Sequence, residues 1–213
     1  MGTLDGKVAV VTGSASDGIG RGIARMLARA GADVAIGDFN PRVNDAAAEL
    51  AADTGRRILP CFVDVRDAAH VKNFMADTAA AFGGIDIVVA NAGIWRRTNA
   101  LTDSYEDSVA LWDRIVDTNL RGVFVTGRAA IPYLVDRGGG HIINIATDHI
   151  CPPPGFATGG GTLMDVYDAS KWGINGLTQS WSKLLAPKGI RVNAMCPGWF
   201  ETEMTAGMES DEG

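Results

Sequence analysis

Tyr167 and Lys171 are the residues of this 213-residue chain whose types and spacing most directly suggest chemistry. They stand four apart in Asp165–Leu185, a stretch whose pattern predicts a helix closed by Pro187 and Gly189, so both side chains share one face. A phenol with a reference pKa of about 10 is a poor base at neutral pH. An ammonium about 4 Å away, at an effective dielectric of about 20, attracts the phenolate by about 4 kcal/mol. That lowers the phenol's pKa by at most about three. Such a tyrosine takes a proton from an alcohol, or gives one to a ketone, near neutral pH. The same spacing on any helix also describes an ordinary surface pair, so the reading needs support from elsewhere.

The segment Thr12-Gly13-Ser14-Ala15-Ser16-Asp17-Gly18-Ile19-Gly20 supplies some. It lies between a predicted strand and a predicted helix. Glycines there permit a tight turn and let the backbone approach a pyrophosphate, and the helix N-terminus offers free N–H groups and a positive dipole end. The plain alternative is a turn with a helix cap. Asp38 ends the second predicted strand. Its carboxylate accepts hydrogen bonds from adenosine ribose hydroxyls and repels a 2′-phosphate. Only Phe39 and Asn40 follow it, with no arginine, so NAD is expected over NADP. Alternatively, Asp38 is a solvated turn residue before Asn40-Pro41.

The elements that must position these groups alternate. Lys7–Thr12, Asp33–Asp38, Arg57–Asp64, Ile85–Ala90, His141–Ala146 and Ile190–Cys196 read as short apolar strands, with Pro60 suggesting an edge for the third. Helical patterns cover Gly18–Ala30, Asn44–Asp53, Ala68–Phe82, Leu111–Asp136 and Asp165–Leu185, while Ile94–Leu111 reads as irregular and too polar for a core. Six strands separated by helices predict an α/β fold in three layers. It is a doubly wound, Rossmann-type parallel sheet in the order 3-2-1-4-5-6, in a single domain over 1–213.

Composition narrows the function classes. The chain is 46% hydrophobic and 21% charged, enough to bury a core without disulfides or metals. A net charge of −6 argues against nucleic acid and against a basic membrane-binding face. No apolar run reaches membrane-spanning length, and Met1–Lys7 lacks a signal segment, so the expected compartment is the cytoplasm. Cys61, Cys151 and Cys196 form no CxxC pair, and His70, His141 and His149 show no zinc spacing, so no metal is expected.

The motifs together resemble the short-chain dehydrogenase/reductase family from Leu4 to about Met204. They are the glycine-rich turn (Gly13, Gly18, Ile19, Gly20), Asp64-Val65, Asn91-Ala92-Gly93, Asn119, Tyr167-xxx-Lys171 and Pro197-Gly198-xxx-Thr202, in that order. The resemblance implies that Asp64 bonds the adenine amino group and that Val65 gives its backbone N–H. It implies that Asn91, Ala92 and Gly93 line the cofactor and that Pro197, Gly198 and Thr202 hold the nicotinamide. Lys171 would bond the nicotinamide ribose, and Asn119 would hold a relay water beside the lysine. Thr147 takes the place of the family's serine, with Asp148 as a poorer alternative. The implied activity is interconversion of a secondary alcohol and a ketone, in a homodimer or homotetramer formed through the helices near Leu111–Asp136 and Asp165–Leu185.

Three features depart from the family. One extra residue lies between Gly13 and Gly18, so the turn must bulge within Ser14–Asp17, with Asp17 turned to solvent. A Pro- and Gly-rich insertion, His149–Thr162, lengthens the path from Thr147 to Tyr167. The chain stops at Gly213 after Glu209-Ser210-Asp211-Glu212, where family members continue into a substrate lid and a seventh strand, so it reads as an incomplete or truncated chain, with a shortened protein as the alternative. Trp95, Phe156, Met164 and Trp199 fall on loops at strand ends and suggest a partly hydrophobic substrate, though they would equally pack the loops on the sheet. Arg96 and Arg97 would meet an anion or simply be solvated. Two further readings stand beside a hydride-transfer enzyme. The first is a silent NAD-binding protein, favoured by the short end, the altered turn and Thr147. The second is an epimerase or dehydratase, for whose usual C-terminal domain there is no room.

Overall fold

The structure, a computed structural model, describes residues 2–150 and 163–203. Phe156, Cys151, most of the His149–Thr162 insertion and the acidic string Glu209–Glu212 lie outside the described residues. Six strands form one parallel sheet, β1 (Val8–Thr12), β2 (Asp33–Asp38), β3 (Ile58–Phe62), β4 (Ile87–Ala90), β5 (Gly140–Ile145) and β6 (Ile190–Met195). Their order is 3-2-1-4-5-6, with every pairing parallel. Pro60 sits in β3, which is an edge strand, where a missing N–H costs the sheet nothing.

The helices are α1 (Ile19–Arg29), α2 (Val43–Thr54), α3 (Ala68–Phe82), α4 (Tyr105–Val116), α5 (Gly122–Asp136) and α6 (Asp165–Leu185). They cover both faces of the sheet, each with its own core. On one side α1 and α2 bring Ala24, Ala28 and Leu50 against Val11, Val34 and Ile36. On the other, α3, α5 and α6 bring Phe74, Leu134 and Trp181 against Val10, Val88 and Ile142. β1 is buried at all five positions, as a strand covered on both faces must be. β6 alternates instead. Ile190 and Val192 are buried, while Arg191 and Asn193 are exposed.

The long helix begins earlier than its apolar pattern suggests. Tyr105–Leu111, expected to be irregular, is the first half of α4. Its apolar residues are mostly exposed, so periodicity gave no signal, but its cap is clear. The Ser104 hydroxyl accepts the Asp107 N–H at 3.0 Å and donates to the Asp107 carboxylate at 2.7 Å. Asp117–Arg121 then forms one wide π turn that joins α4 to α5. Such turns displace a residue from helical register, here Asn119.

At the far end of the sheet from the strands' carboxyl termini, Asp86 fixes where β4 meets β1. Its carboxylate accepts the Val8 N–H at 3.0 Å, Lys7 Nζ at 3.2 Å and Arg137 Nη2 at 3.0 Å. Burial alone would raise this carboxyl, but Arg137, the Val8 amide and Lys7 outweigh burial and hold it below the usual range. Removing this carboxylate leaves the buried Val8 N–H without its acceptor, while Lys7 and Arg137, 51% and 35% exposed, return to water. Asp86→Ala is therefore expected to lower the unfolding free energy by about 1.5–3 kcal/mol, read by urea denaturation. A loss within the range of exposed ion pairs, about 1 kcal/mol or less, would show that Asp86 does not pin the sheet.

Candidate active site

Strand order reverses between β1 and β4, and a crevice opens outside their carboxyl ends. Two side chains hold these ends together. The Asn91 amide donates to the Thr12 carbonyl at 2.9 Å and to the Gly13 carbonyl at 3.0 Å. The Thr12 hydroxyl accepts the backbone N–H groups of Asn91 and Ala92 at 3.0 and 3.1 Å. Gly13 adopts φ +70°, and a Cβ on Gly20 would lie 2.2 Å from the Gly13 carbonyl oxygen, so neither position admits a side chain.

The extra residue of the turn is absorbed inward. Ser14 and Ala15 are buried, the Ser14 hydroxyl donates to the Val11 carbonyl at 3.1 Å, and Asp17 is exposed. Helix α1 starts with no side-chain cap and no acidic residue in its first turn, so its N–H groups and positive dipole end remain for an anion. These uncapped donors above a side-chain-free floor fit a dinucleotide pyrophosphate.

A cavity of about 600 Å³ runs along the crevice, within the usual range for ligand sites. Its walls include Gly13, Gly18, Ile19, Gly20, Asp38, Asp64, Val65, Asn91, Ala92, Gly93, Thr147, Tyr167, Lys171, Pro197, Gly198 and Thr202. Of the expected site residues only Asn119 stands behind the wall. It is fully buried, accepting the Ile94 N–H at 2.8 Å and donating to the Ile94 carbonyl at 2.9 Å and the Ser170 hydroxyl at 3.2 Å. Ser170 in turn donates to the Tyr167 carbonyl at 2.6 Å. Asn119 thus ties the wide turn, the segment following β4 and helix α6 into one unit. Ser170 was passed over because a small polar residue on a helix carries no distinctive pattern.

At one end of the cavity, Asp38 is already engaged. Its oxygens accept the backbone N–H groups of Ala15 at 2.9 Å and Asn40 at 3.0 Å. An arginine does reach this region, contrary to expectation. Arg42, on the turn into α2, lines the cavity and forms a two-pronged pair with Glu203 at 3.1 and 2.7 Å, while Ser16 donates to the same carboxylate at 3.1 Å. Proximity in sequence to Asp38 misses it because the turn at Asn40-Pro41 folds it back. Asp64 is clasped by Arg66, which bonds it through Nε at 2.9 Å and Nη2 at 2.6 Å and holds its carboxyl below the usual range.

At the other end, Tyr167 and Lys171 share the cavity wall as their spacing requires, with Lys171 Nζ 5.6 Å from the phenol ring centre. The expected electrostatics do not hold. Burial raises the Tyr167 phenol, and the Asp168 and Asp148 carboxylates raise it further, against the lowering effect of its hydrogen bond with Thr147. Lys171 is itself buried, donates to the Ile145 carbonyl at 2.8 Å, and is pushed down to about 8 by loss of solvent. The pairwise estimate overlooked that both groups leave water together and that two carboxylates stand nearby. Trp95, Arg96, Met164 and Trp199 also line this end, whereas Arg97 is exposed away from the cavity wall.

The lysine's low value has a consequence for stability. Between about pH 8 and pH 10.5, its ordinary value, the unfolded chain holds a proton that the folded chain has released. Stability therefore rises with pH across that window. Urea midpoints of the wild type should climb from pH 8 to 10 relative to Lys171→Met. Parallel pH curves for the two proteins would disprove the low value.

A model of the family described as short chain dehydrogenase matches residues 7–213. The cis-4-hydroxycyclohexanecarboxylate dehydrogenase of Sinomonas cyclohexanicum is 40% identical, over 96% of this chain and 78% of its own length. The 2-dehydro-3-deoxy-D-gluconate 5-dehydrogenase of Escherichia coli is 37% identical over 99% of this chain and 78% of its own. A short-chain type dehydrogenase/reductase from Mycobacterium marinum superposes with a TM-score of 0.86 at 35% identity, covering 97% of this chain and 78% of that one. With the crevice, the uncapped helix and the Tyr167–Lys171 wall already in place, these matches identify the chain as a member of the short-chain dehydrogenase/reductase family, oxidoreductases that work with nicotinamide cofactors.

Proposed function

We propose that the protein is an NAD-dependent oxidoreductase that interconverts a secondary alcohol and a ketone, with Tyr167 as the general acid and base. The observation that carries this reading is the convergence of the Tyr167 phenol, the Thr147 hydroxyl and the buried Lys171 on one cavity wall. A bound nicotinamide would supply the hydride acceptor or donor. Thr147 holds the substrate oxygen by its hydroxyl, and its methyl narrows the pocket. Tyr167 exchanges the proton with that oxygen. The neutral phenol favoured by burial is already the form that protonates a ketone, so reduction needs no prior ionisation.

Lys171 and Tyr167 would meet the nicotinamide ribose. Pro197, Gly198 and Thr202 would hold the nicotinamide, and Gly13, Gly18, Ile19 and Gly20 the pyrophosphate. Asn91, Ala92 and Gly93 would line the cofactor. Asp38 would meet the adenosine ribose, Asp64 and Val65 the adenine. Asp38 disfavours a 2′-phosphate, and Glu203 neutralises Arg42 on the same cavity wall, which supports NAD over NADP. Asn119 positions α6 behind Tyr167, and a relay water beside the lysine remains part of the proposal. Among the described residues no helix is long and apolar enough to cross a membrane. We further propose a cytoplasmic homodimer or homotetramer that uses neither nucleic acid nor a metal. Trp112 on α4, Phe124 on α5 and Trp172 on α6 are 47%, 44% and 54% exposed and give a subunit interface its apolar anchors.

Absorbance at 340 nm with NAD or NADP and a panel of secondary alcohols tests the reaction. NAD-dependent turnover should fall by about 10²–10⁴ in Tyr167→Phe. NAD binding by calorimetry with no turnover of any substrate would sink the enzyme reading in favour of a silent binder. Light scattering should give a dimer or tetramer, with Phe124→Glu shifting it toward monomer, and a monomeric wild type would contradict the assembly.

A further inference from the structure

His149 and Asp168 stand beside the reacting phenol without a part in the mechanism above. His149 lies two residues past Thr147 on the turn that leaves β5, and Asp168 follows Tyr167 on α6. His149 Nδ1 and Asp168 Oδ1 are 2.7 Å apart, with only 21% and 16% of the two side chains exposed. The imidazole meets the Tyr167 ring edge to face, 6.1 Å between centres, and lines the cavity. A carboxylate only accepts, so Nδ1 carries a proton and the ring's orientation is fixed. Among the described residues Nε2 has no partner.

The neighbouring polar groups divide by what they have left to offer. Asp148 accepts from the Thr147 hydroxyl at 3.3 Å, and its other oxygen lies against Gly198, on the nicotinamide side. Asp168 is taken by His149. The donors at this end are the His149 ring and Arg96, which is exposed on the cavity wall and spends one N–H on the Trp95 carbonyl. Met164 and Trp199 supply apolar wall around them.

We propose that His149, oriented by Asp168, is the substrate-recognition residue of this site and takes a carboxylate carried close to the reacting carbinol. The substrate is then a hydroxy acid and its oxidised form an oxo acid, an inference that rests on the alcohol–ketone reading. In the complex both ring nitrogens donate, Nδ1 to Asp168 and Nε2 to the carboxylate, and charge on both partners strengthens the second bond. The carboxylate fixes which face of the carbinol carbon turns to the cofactor, while Tyr167 and Thr147 hold its oxygen.

The test compares kcat/KM for pairs that differ only in the carboxylate, 3-hydroxybutyrate with 2-butanol and 3-hydroxycyclohexanecarboxylate with cyclohexanol. It uses the wild type, His149→Phe, His149→Arg and Asp168→Asn. The wild type should prefer the acids. His149→Phe should lower the acid-to-alcohol ratio by about ten- to a hundredfold, chiefly through KM, the range for a charged hydrogen bond. His149→Arg, which keeps a cation, should recover part of the ratio, and Asp168→Asn should lower it by less. Equal loss on acid and alcohol, or no preference for the acids in the wild type, overturns the inference. Asp168→Asn reads the same ratio if His149→Phe does not fold.

If no alcohol is turned over, the alcohol–ketone reading fails, and binding decides this one separately. Calorimetry of 3-oxobutyrate against 2-butanone, on protein with NADH, should then show binding of the acid alone, lost in His149→Phe. Absence of that selectivity overturns the proposal.

Discussion

Everything functional in this protein depends on the seam between β1 and β4. Parallel strands that wind in opposite directions from a common centre leave a gap at their carboxyl ends. A gap is useful only if its edges are fixed. Thr12 and Asn91 fix them with reciprocal bonds, each side chain satisfying the other strand's backbone. The groups bridged are ones that folding would otherwise leave unpaired. The same four bonds therefore complete the sheet and set the floor of the site. Gly13 and Gly20 follow from this, because the backbone there approaches too closely for any Cβ.

The reacting end works under a different constraint. Tyr167 and Lys171 both lose water, and each is pushed toward its neutral form. The lysine is thereby brought close to the range in which a cofactor's charge can tip it, while the phenol is held more firmly in its protonated form. A surface lysine would sit far from that range at neutral pH. Asn119 and Ser170 make this burial reproducible, since their bonds set the distance from the wide π turn to α6.

Much of this was legible in the chain itself. Apolar runs such as Val8–Thr12 and Asp33–Asp38 fixed strand type, number and order, because a strand buried on both faces has little freedom in composition. The site residues were legible where their positions follow from backbone geometry, as at the turn, Asn91 and Tyr167–Lys171. What escaped depends on groups distant in sequence. Arg42 meets Glu203 across 161 residues, and Asp168 and Asp148 act on Tyr167 through space. Pairwise reading of a four-residue spacing cannot weigh burial it does not see. The start of α4 escaped for another reason. Its polarity hid it, and only the Ser104–Asp107 cap marks it.

The bridge from Arg42 and Ser16 to Glu203 gives the cavity an uneven construction. The floor rests on buried bonds that cannot open without disturbing the sheet. One flank rests on an exposed ion pair, and such pairs contribute roughly 0–1 kcal/mol, little more than thermal energy. The tie between the segment after Pro197 and the glycine-rich turn is therefore weakened by salt, while the buried bonds of the floor are screened far less.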